Sequence, residues 1–274
     1  MMIQVLGFPR SGTTWVARML AHCTEPICME PLKLNELYLD GKYCWPGVRH
    51  LDIPDDPAQF SARLTRIANR HFGVDLLAGT AARKDVMSAI EDVCRLMPWA
   101  VGSKNVLFLR EWAEAVGGKL VCVVRSALGV VGSMGDIQAY ADVRRWKHPG
   151  TSTKTWPELL IENMQREHAD LWNSIDAPAT LYGDMARAYR IRVDRDAAYL
   201  DELGAKVVRF ENLATNYNVA WGDLLHWLSL EPTAEFEDAV RGSLAANPKY
   251  IRYRPELIDA VDAVFPGGFS QWGI

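Results

Sequence analysis

Gly7-Phe8-Pro9-Arg10-Ser11-Gly12-Thr13-Thr14-Trp15 is the stretch on which the reading of this chain turns. Before it, Ile3, Val5 and Leu6 read as a short buried strand. After it, Trp15 to His22 reads as a helix with Val16, Met19 and Leu20 on one apolar face. Strand, glycine-bounded turn and helix, in that order, make a cradle for phosphate-like anions. The glycines let backbone N–H groups approach the anion, and the helix N-terminus adds a favourable dipole. The plainer alternative is an ordinary strand-to-helix turn, since short glycine turns recur by chance.

Gly7, four residues and Gly12 match the first half of an ATP-binding P-loop. The second half departs from it. A triphosphate enzyme places Lys and then Ser or Thr where this chain has Thr13 and Thr14. Without that Lys the turn suits a smaller anion, with Arg10 as the nearest cation. A guanidinium offers a planar fork of donors matched to phosphate or sulfate.

Working outward, the chain has 274 residues, is 49% hydrophobic and has a net charge of -4. No Gly-, Ser- or Pro-rich linker, repeat or low-complexity tract divides it, so a single domain over 1–274 is expected. Interspersed acids and bases give no overall attraction to nucleic acid. Cys23, Cys28, Cys44, Cys94 and Cys122 are odd in number and never spaced as C-x-x-C, which reads as a reduced protein without a metal. No secretory signal leads the chain and no apolar run is long enough for a bilayer; a cytoplasmic protein with no membrane anchor is expected.

Strands and helices alternate along the rest. Ile27-Cys28-Met29 reads as a strand leading to Glu30-Pro31. Helices are expected from Asp55-Asp56-Pro57, through Phe60, Leu64, Ile67 and Phe72, and from Asp85 to Met97. Trp99 to Lys104 reads as a strand. Lys119 to Val124 is a near-continuous apolar run, the pattern of a central parallel strand covered on both faces; it delivers Arg125, and the helix after it carries Ser133. Gly135 to Thr155 is basic and aromatic and reads as a lid or as a surface helix and loop. Pro157 to Ile175 reads as one amphipathic helix, Tyr182 to Leu203 as another, and Lys206 to Phe210 as a strand. This alternation predicts an α/β fold with a central parallel sheet covered by helices on both faces, and ligand residues at the sheet's carboxyl edge.

Pro9 to Trp15 resembles the 5′-phosphosulfate loop of sulfotransferases that use 3′-phosphoadenosine-5′-phosphosulfate (PAPS). Arg125 and Ser133, eight positions apart, resemble that family's 3′-phosphate pair. Glu30-Pro31 is similar to a segment of the carbohydrate-type members. Lys206 to Leu213 resembles the family's "RYEDL" strand end, and the run from Trp221 to Leu228 its "LL-x-FL-x-L" helix; both look architectural. The resemblance implies a three-layer P-loop, nucleotide-kinase-like fold in a soluble, bacterial-type member. It implies that Arg10, Ser11, Gly12, Thr13, Thr14 and Trp15 hold the 5′-phosphosulfate and flank the adenine. It places Arg125 and Ser133 on the 3′-phosphate, with Lys249 and Arg252 closing over it, and Lys104 on the sulfuryl group. The cytosolic phenol and steroid members carry a His base two residues beyond that Lys, where this chain has Val106. Glu30 then stands as the base, or as a loop carboxylate pairing with Arg10 or Lys104; His148 is the alternative base.

The implied activity is transfer of a sulfuryl group from PAPS to a hydroxyl or amine of a small-molecule or carbohydrate acceptor, aromatic or glycosidic, releasing adenosine 3′,5′-bisphosphate without a metal. Two other functions fit the same scaffold: an ATP-using P-loop kinase of a small metabolite, and a non-catalytic nucleotide-binding protein. Acceptor identity and oligomeric state are not legible in the sequence.

Overall fold

The computed structural model describes residues 3–8, 10–24, 27–29, 102–105, 118–144, 156–245 and 254–267. Within them the chain is a helix-rich α/β protein with a small parallel sheet. Its strands are β1 (Ile3–Leu6), β2 (Ile27–Met29), β3 (Gly102–Asn105), β4 (Lys119–Val124) and β5 (Lys206–Arg209). They lie side by side in the order β2-β3-β1-β4-β5, and every pairing is parallel. The helices are α1 (Thr13–Leu20), α2 (Ala127–Arg144), α3 (Trp156–Glu167), α4 (Ala169–Ser174), α5 (Leu181–Glu202), α6 (Phe210–Thr215), α7 (Tyr217–Leu228), α8 (Ala234–Ala245) and α9 (Pro255–Val264). Among the described residues, no helix is long and apolar enough to cross a membrane.

Successive side chains on a strand point to opposite faces, and the apolar clusters follow that alternation. Ile3 and Val5 of β1, Val121 and Val123 of β4 and Val208 of β5 pack with α1, α6, α7 and α8 around Trp221, Leu224 and Phe236. The intervening Cys122 and Val124, with Val207 of β5, meet Leu200 of α5. A strand buried on both sides needs apolar residues at every position, which is what the sequence from Leu120 to Val124 supplies. Cys122 is accordingly a buried thiol. A third cluster joins α2, α3, α4, α5 and α9 and takes in Phe8 from the turn after β1.

Two elements differ from the sequence reading. The helix expected from Trp15 begins at Thr13, because the carbonyl of Gly12 already accepts from the N–H groups of Trp15 and Val16. The single helix expected over 157–175 is two, broken at His168, whose backbone leaves helical geometry at φ -133 and ψ 41. After the break Trp172 is buried beneath the Arg187 guanidinium, whereas Leu171 is 46% exposed. Between the two readings of 135–155, a lid or a surface helix and loop, the first part is helix, since α2 runs on through Gly135 to Arg144. The expected helices over 55–72 and 85–97 lie outside the described residues, as do residues 145–155.

Two helix starts follow their sequence signals. Thr180 caps α5, its hydroxyl accepting from the Gly183 N–H at 3.1 Å. Pro255 opens α9, where its missing N–H has no helical partner to lose.

Candidate functional site

In the strand order, the chain leaves β1 for β2 at one edge of the sheet and leaves β4 for β5 at the other. The two connections diverge between neighbours, since β1 and β4 pair directly. A crevice forms at the carboxyl ends of such a pair, and open α/β sheets bind ligands there. Leu6 is level with Cys122, so β4 rises two residues beyond the last residue of β1. The turn that follows β1 therefore stands beside the end of β4.

That turn is tight and strained. Ser11 N–H donates to the Phe8 carbonyl at 3.1 Å. Arg10 sits at φ 73 and Gly12 at φ 100. For an L-residue such as Arg10, left-handed backbone costs about 1–2 kcal/mol, and strain of this kind concentrates at ligand sites. The start of α1 has no side-chain cap. Ser11 is fully buried, and its hydroxyl has no hydrogen-bond partner among the described residues. A helix N-terminus with uncapped N–H groups and an unpartnered buried hydroxyl can hold a compact anion.

The glycines of this turn serve the protein's own packing as well as any ligand. A Cβ on Gly7 would lie 2.7 Å from the Val123 carbonyl oxygen and 2.6 Å from the Ser11 hydroxyl. One on Gly12 would lie 2.3 Å from the Phe210 ring. Thr13, at the position of the triphosphate enzymes' Lys, is buried with its methyl against Gly7.

The end of β4 closes onto this turn. Arg10 Nε donates to Ser133 Oγ at 3.0 Å, and Arg125 Nη1 donates to the Arg10 carbonyl at 3.2 Å. Arg10 and the Arg125–Ser133 pair, more than a hundred positions apart in the chain, thus form one constellation. The Arg125 guanidinium lies 4.9 Å from the centre of the Phe210 ring, a cation–π distance. By surface area Arg10 is an exposed residue. Its guanidinium is nonetheless enclosed enough that loss of solvent pulls its pKa below the ordinary arginine value, an effect the charge of Asp136 opposes. Arginine remains charged through such shifts.

Ser126 is the N-cap of α2, its hydroxyl accepting from the Gly129 N–H at 3.2 Å. Its own N–H donates to Glu211 Oε1 at 2.9 Å. The Tyr189 hydroxyl donates to the Arg125 carbonyl at 2.6 Å. Burial drives the Tyr189 phenol far above its ordinary pKa, so it stays a donor.

The remaining expected residues are dispersed. Thr14 is half-buried in the first turn of α1. The Trp15 ring packs on Phe210 at 5.3 Å and on Trp221 at 5.5 Å, and its N–H donates to Ser243 Oγ at 2.8 Å. Lys104 occupies the third position of β3, in register with Val5 of β1 and Met29 of β2. Glu30, His148, Lys249 and Arg252 lie outside the described residues.

Sequence reasoning missed Phe210 and Glu211 as site residues, treating them as architecture. A usable signal was present: Phe210 and Glu211 are the first two residues after β5, as Arg125 is the first after β4. Tyr189 and Asp136 carried no signal, since each lies inside a helix and only the packing of α5 and α2 brings them to the corner.

No protein-family model matches the chain, and no curated protein matches it. Among solved structures, mouse sulfotransferase SULT7A1 complexed with PAP is similar to this chain, with a TM-score of 0.38 and 14% identity over 96% of this chain and 71% of that one. At so low a likeness, function must be argued from this chain's own residues.

Proposed function

We propose that this protein is a PAPS-dependent sulfotransferase on a three-layer P-loop scaffold, acting on a hydroxyl or amine of a small-molecule or carbohydrate acceptor. The observation that carries the reading is the hydrogen bond from Arg10 to Ser133, with Arg125 on the Arg10 carbonyl. Two anion-binding motifs of the sequence, one after β1 and one after β4, meet at a single corner. A donor with phosphate groups at both its 3′ and 5′ positions calls for two such motifs within one nucleotide's reach.

In this reading the N–H groups from Gly12 to Thr14 and the hydroxyls of Ser11, Thr13 and Thr14 hold the 5′-phosphosulfate; the Ser11 N–H, expected among them, is taken by the Phe8 carbonyl. The donor supplies the sulfuryl group, and adenosine 3′,5′-bisphosphate leaves once the acceptor has taken it. Negative charge builds on the sulfate oxygens and the bridging oxygen as the bond breaks. Fixed cations are most effective against such charge because they need no reorganisation at the moment of reaction. Arg10 has that role here, with Lys104 as its partner from β3. Arg125 and Ser133 take the 3′-phosphate, assisted by Lys249 and Arg252. Glu30, next in sequence after the last residue of β2, accepts the acceptor's proton, with His148 as the alternative. Trp15 flanks the nucleotide while anchoring α1 to α8 through Ser243.

Calorimetry with adenosine 3′,5′-bisphosphate tests the binding half of the proposal. Wild-type protein binds, and Arg125→Ala loses about 1.5–3 kcal/mol, the scale of a charge-assisted hydrogen bond. Unchanged affinity in that variant refutes the 3′-phosphate role. Incubation with PAPS and pooled acceptors, read as a mass gain of one sulfonate, tests the transfer half. Binding without transfer to any acceptor favours the non-catalytic alternative.

A further inference from the structure

Two of the bonds at the corner end on the same peptide group. The Tyr189 hydroxyl donates to the Arg125 carbonyl, and the N–H of Ser126 donates to Glu211. Carbonyl and N–H of one planar peptide point in opposite directions. Tyr189 of α5 and Glu211 of α6 therefore grip the Arg125–Ser126 peptide from its two sides. Holding that plane fixes the backbone torsions on either side of it: ψ of Arg125, which aims the guanidinium, and φ of Ser126, which sets the direction of α2.

The arrangement completes a helix cap with parts from elsewhere in the chain. In a capping box, a Glu or Gln three residues after the cap reaches back to the cap's N–H. Here that position is Gly129, and a Cβ on it would stand 2.6 Å from Arg125 Nε. The space beside α2 is taken by the arginine, so a local carboxylate has no room. Glu211 supplies it from α6 instead, placing negative charge at the N-terminal end of the α2 dipole. Its second oxygen, Oε2, is buried with no hydrogen-bond partner among the described residues. Tyr189 is equally committed: it is 2% exposed, and its ring packs between Phe8, from the turn after β1, and Phe265, from the end of α9.

We propose that Tyr189 and Glu211 are positioning residues which together clamp the Arg125–Ser126 peptide and so set the anion affinity of the Arg125 corner. This deepens the reading given under Proposed function and rests on it for the identity of the ligand, but not for the clamp.

The test pairs a ligand measurement with a ligand-free one, on the full chain. Tyr189→Phe removes one grip, Glu211→Ala the other, and Glu211→Gln keeps an acceptor oxygen for Ser126. Adenosine 3′,5′-bisphosphate is the calorimetric probe. Each of the first two variants is expected to weaken binding about tenfold, and the pair together little more than either alone, because groups acting on one element are not additive. Glu211→Gln is expected to restore affinity to within about twofold of wild type. In an Arg125→Ala background neither Tyr189→Phe nor Glu211→Ala has a further effect. A general loss of stability would move affinity in both backgrounds and would add across the pair, so additive losses, or equal losses without Arg125, overturn the proposal.

The ligand-free readout is hydrogen exchange at the Ser126 amide, which must accelerate in both Tyr189→Phe and Glu211→Ala. Unaltered exchange overturns the clamp whatever the calorimetry gives. If wild-type protein ignores the bisphosphate, the functional reading fails on its own and the Ser126 amide alone decides the clamp.

Discussion

Gly12→Ala isolates how the turn after β1 is built. Gly12 is the N-cap of α1 at φ 100, and its missing side chain makes room for the Phe210 ring. The substitution imposes two separate costs. Left-handed backbone costs an L-residue about 1–2 kcal/mol. A Cβ placed 2.3 Å from Phe210 Cδ2 and 2.8 Å from its Cε2 must also displace that ring. The ring is wedged between Trp15 and the Arg125 guanidinium, and overpacking of this kind costs roughly 1–3 kcal/mol. The sum is about 2–5 kcal/mol, which for a chain of this size lowers Tm by roughly 5–15 °C. Thermal unfolding by circular dichroism, run beside urea titration, measures it. A cycle with Phe210→Ala separates the parts: without the ring, Gly12→Ala should retain only the backbone cost of about 1–2 kcal/mol. A Gly12→Ala protein melting within about 1 °C of wild type refutes the reasoning, and an identical cost with and without Phe210 refutes its steric half.

Two further outcomes are expected. Ser243→Ala leaves the Trp15 N–H without its partner across the α1–α8 contact, so stability should fall by about 1–2 kcal/mol in urea titration, while Ser243→Thr, which keeps the hydroxyl, should hold most of it. Burial raises the Tyr189 pKa in the folded protein above its unfolded value. The stability this group contributes is therefore fully present below about pH 10 and declines above it, as the unfolded chain gives up a proton that the folded one keeps. Tm followed from pH 8 to 11 should fall more steeply for wild type than for Tyr189→Phe, and parallel curves would count against a buried, protonated phenol.

Local information carried a large part of the architecture. The apolar run before Arg125 has the pattern of a strand buried on both faces, and β4 has that burial. Glycines at 7 and 12 bounded a turn between strand and helix because few other residues tolerate φ 100 or so close an approach of β4. Sequence also named Arg10, as the cation nearest the turn, and Arg125 with Ser133, through the resemblance of that pair to a sulfotransferase 3′-phosphate site. Where it failed, the missing information was long-range. The break at His168 has no Pro or Gly to announce it, and α8 and α9 were not singled out at all.

What the chain's order could not supply is which strand ends are neighbours. The parallel pairing of β1 with β4, not with β2 which follows it in sequence, is a property of the whole sheet, and it alone puts Arg10 beside Ser133. The same holds for Tyr189 and Glu211: a helix-interior tyrosine and a carboxylate after β5 look like core and surface until α5 and α6 dock on either side of one peptide. Torsional preference and hydropathy act over a few residues and can be read along a chain. Hydrogen bonds between groups tens of positions apart depend on how the elements pack, and only the folded molecule fixes that.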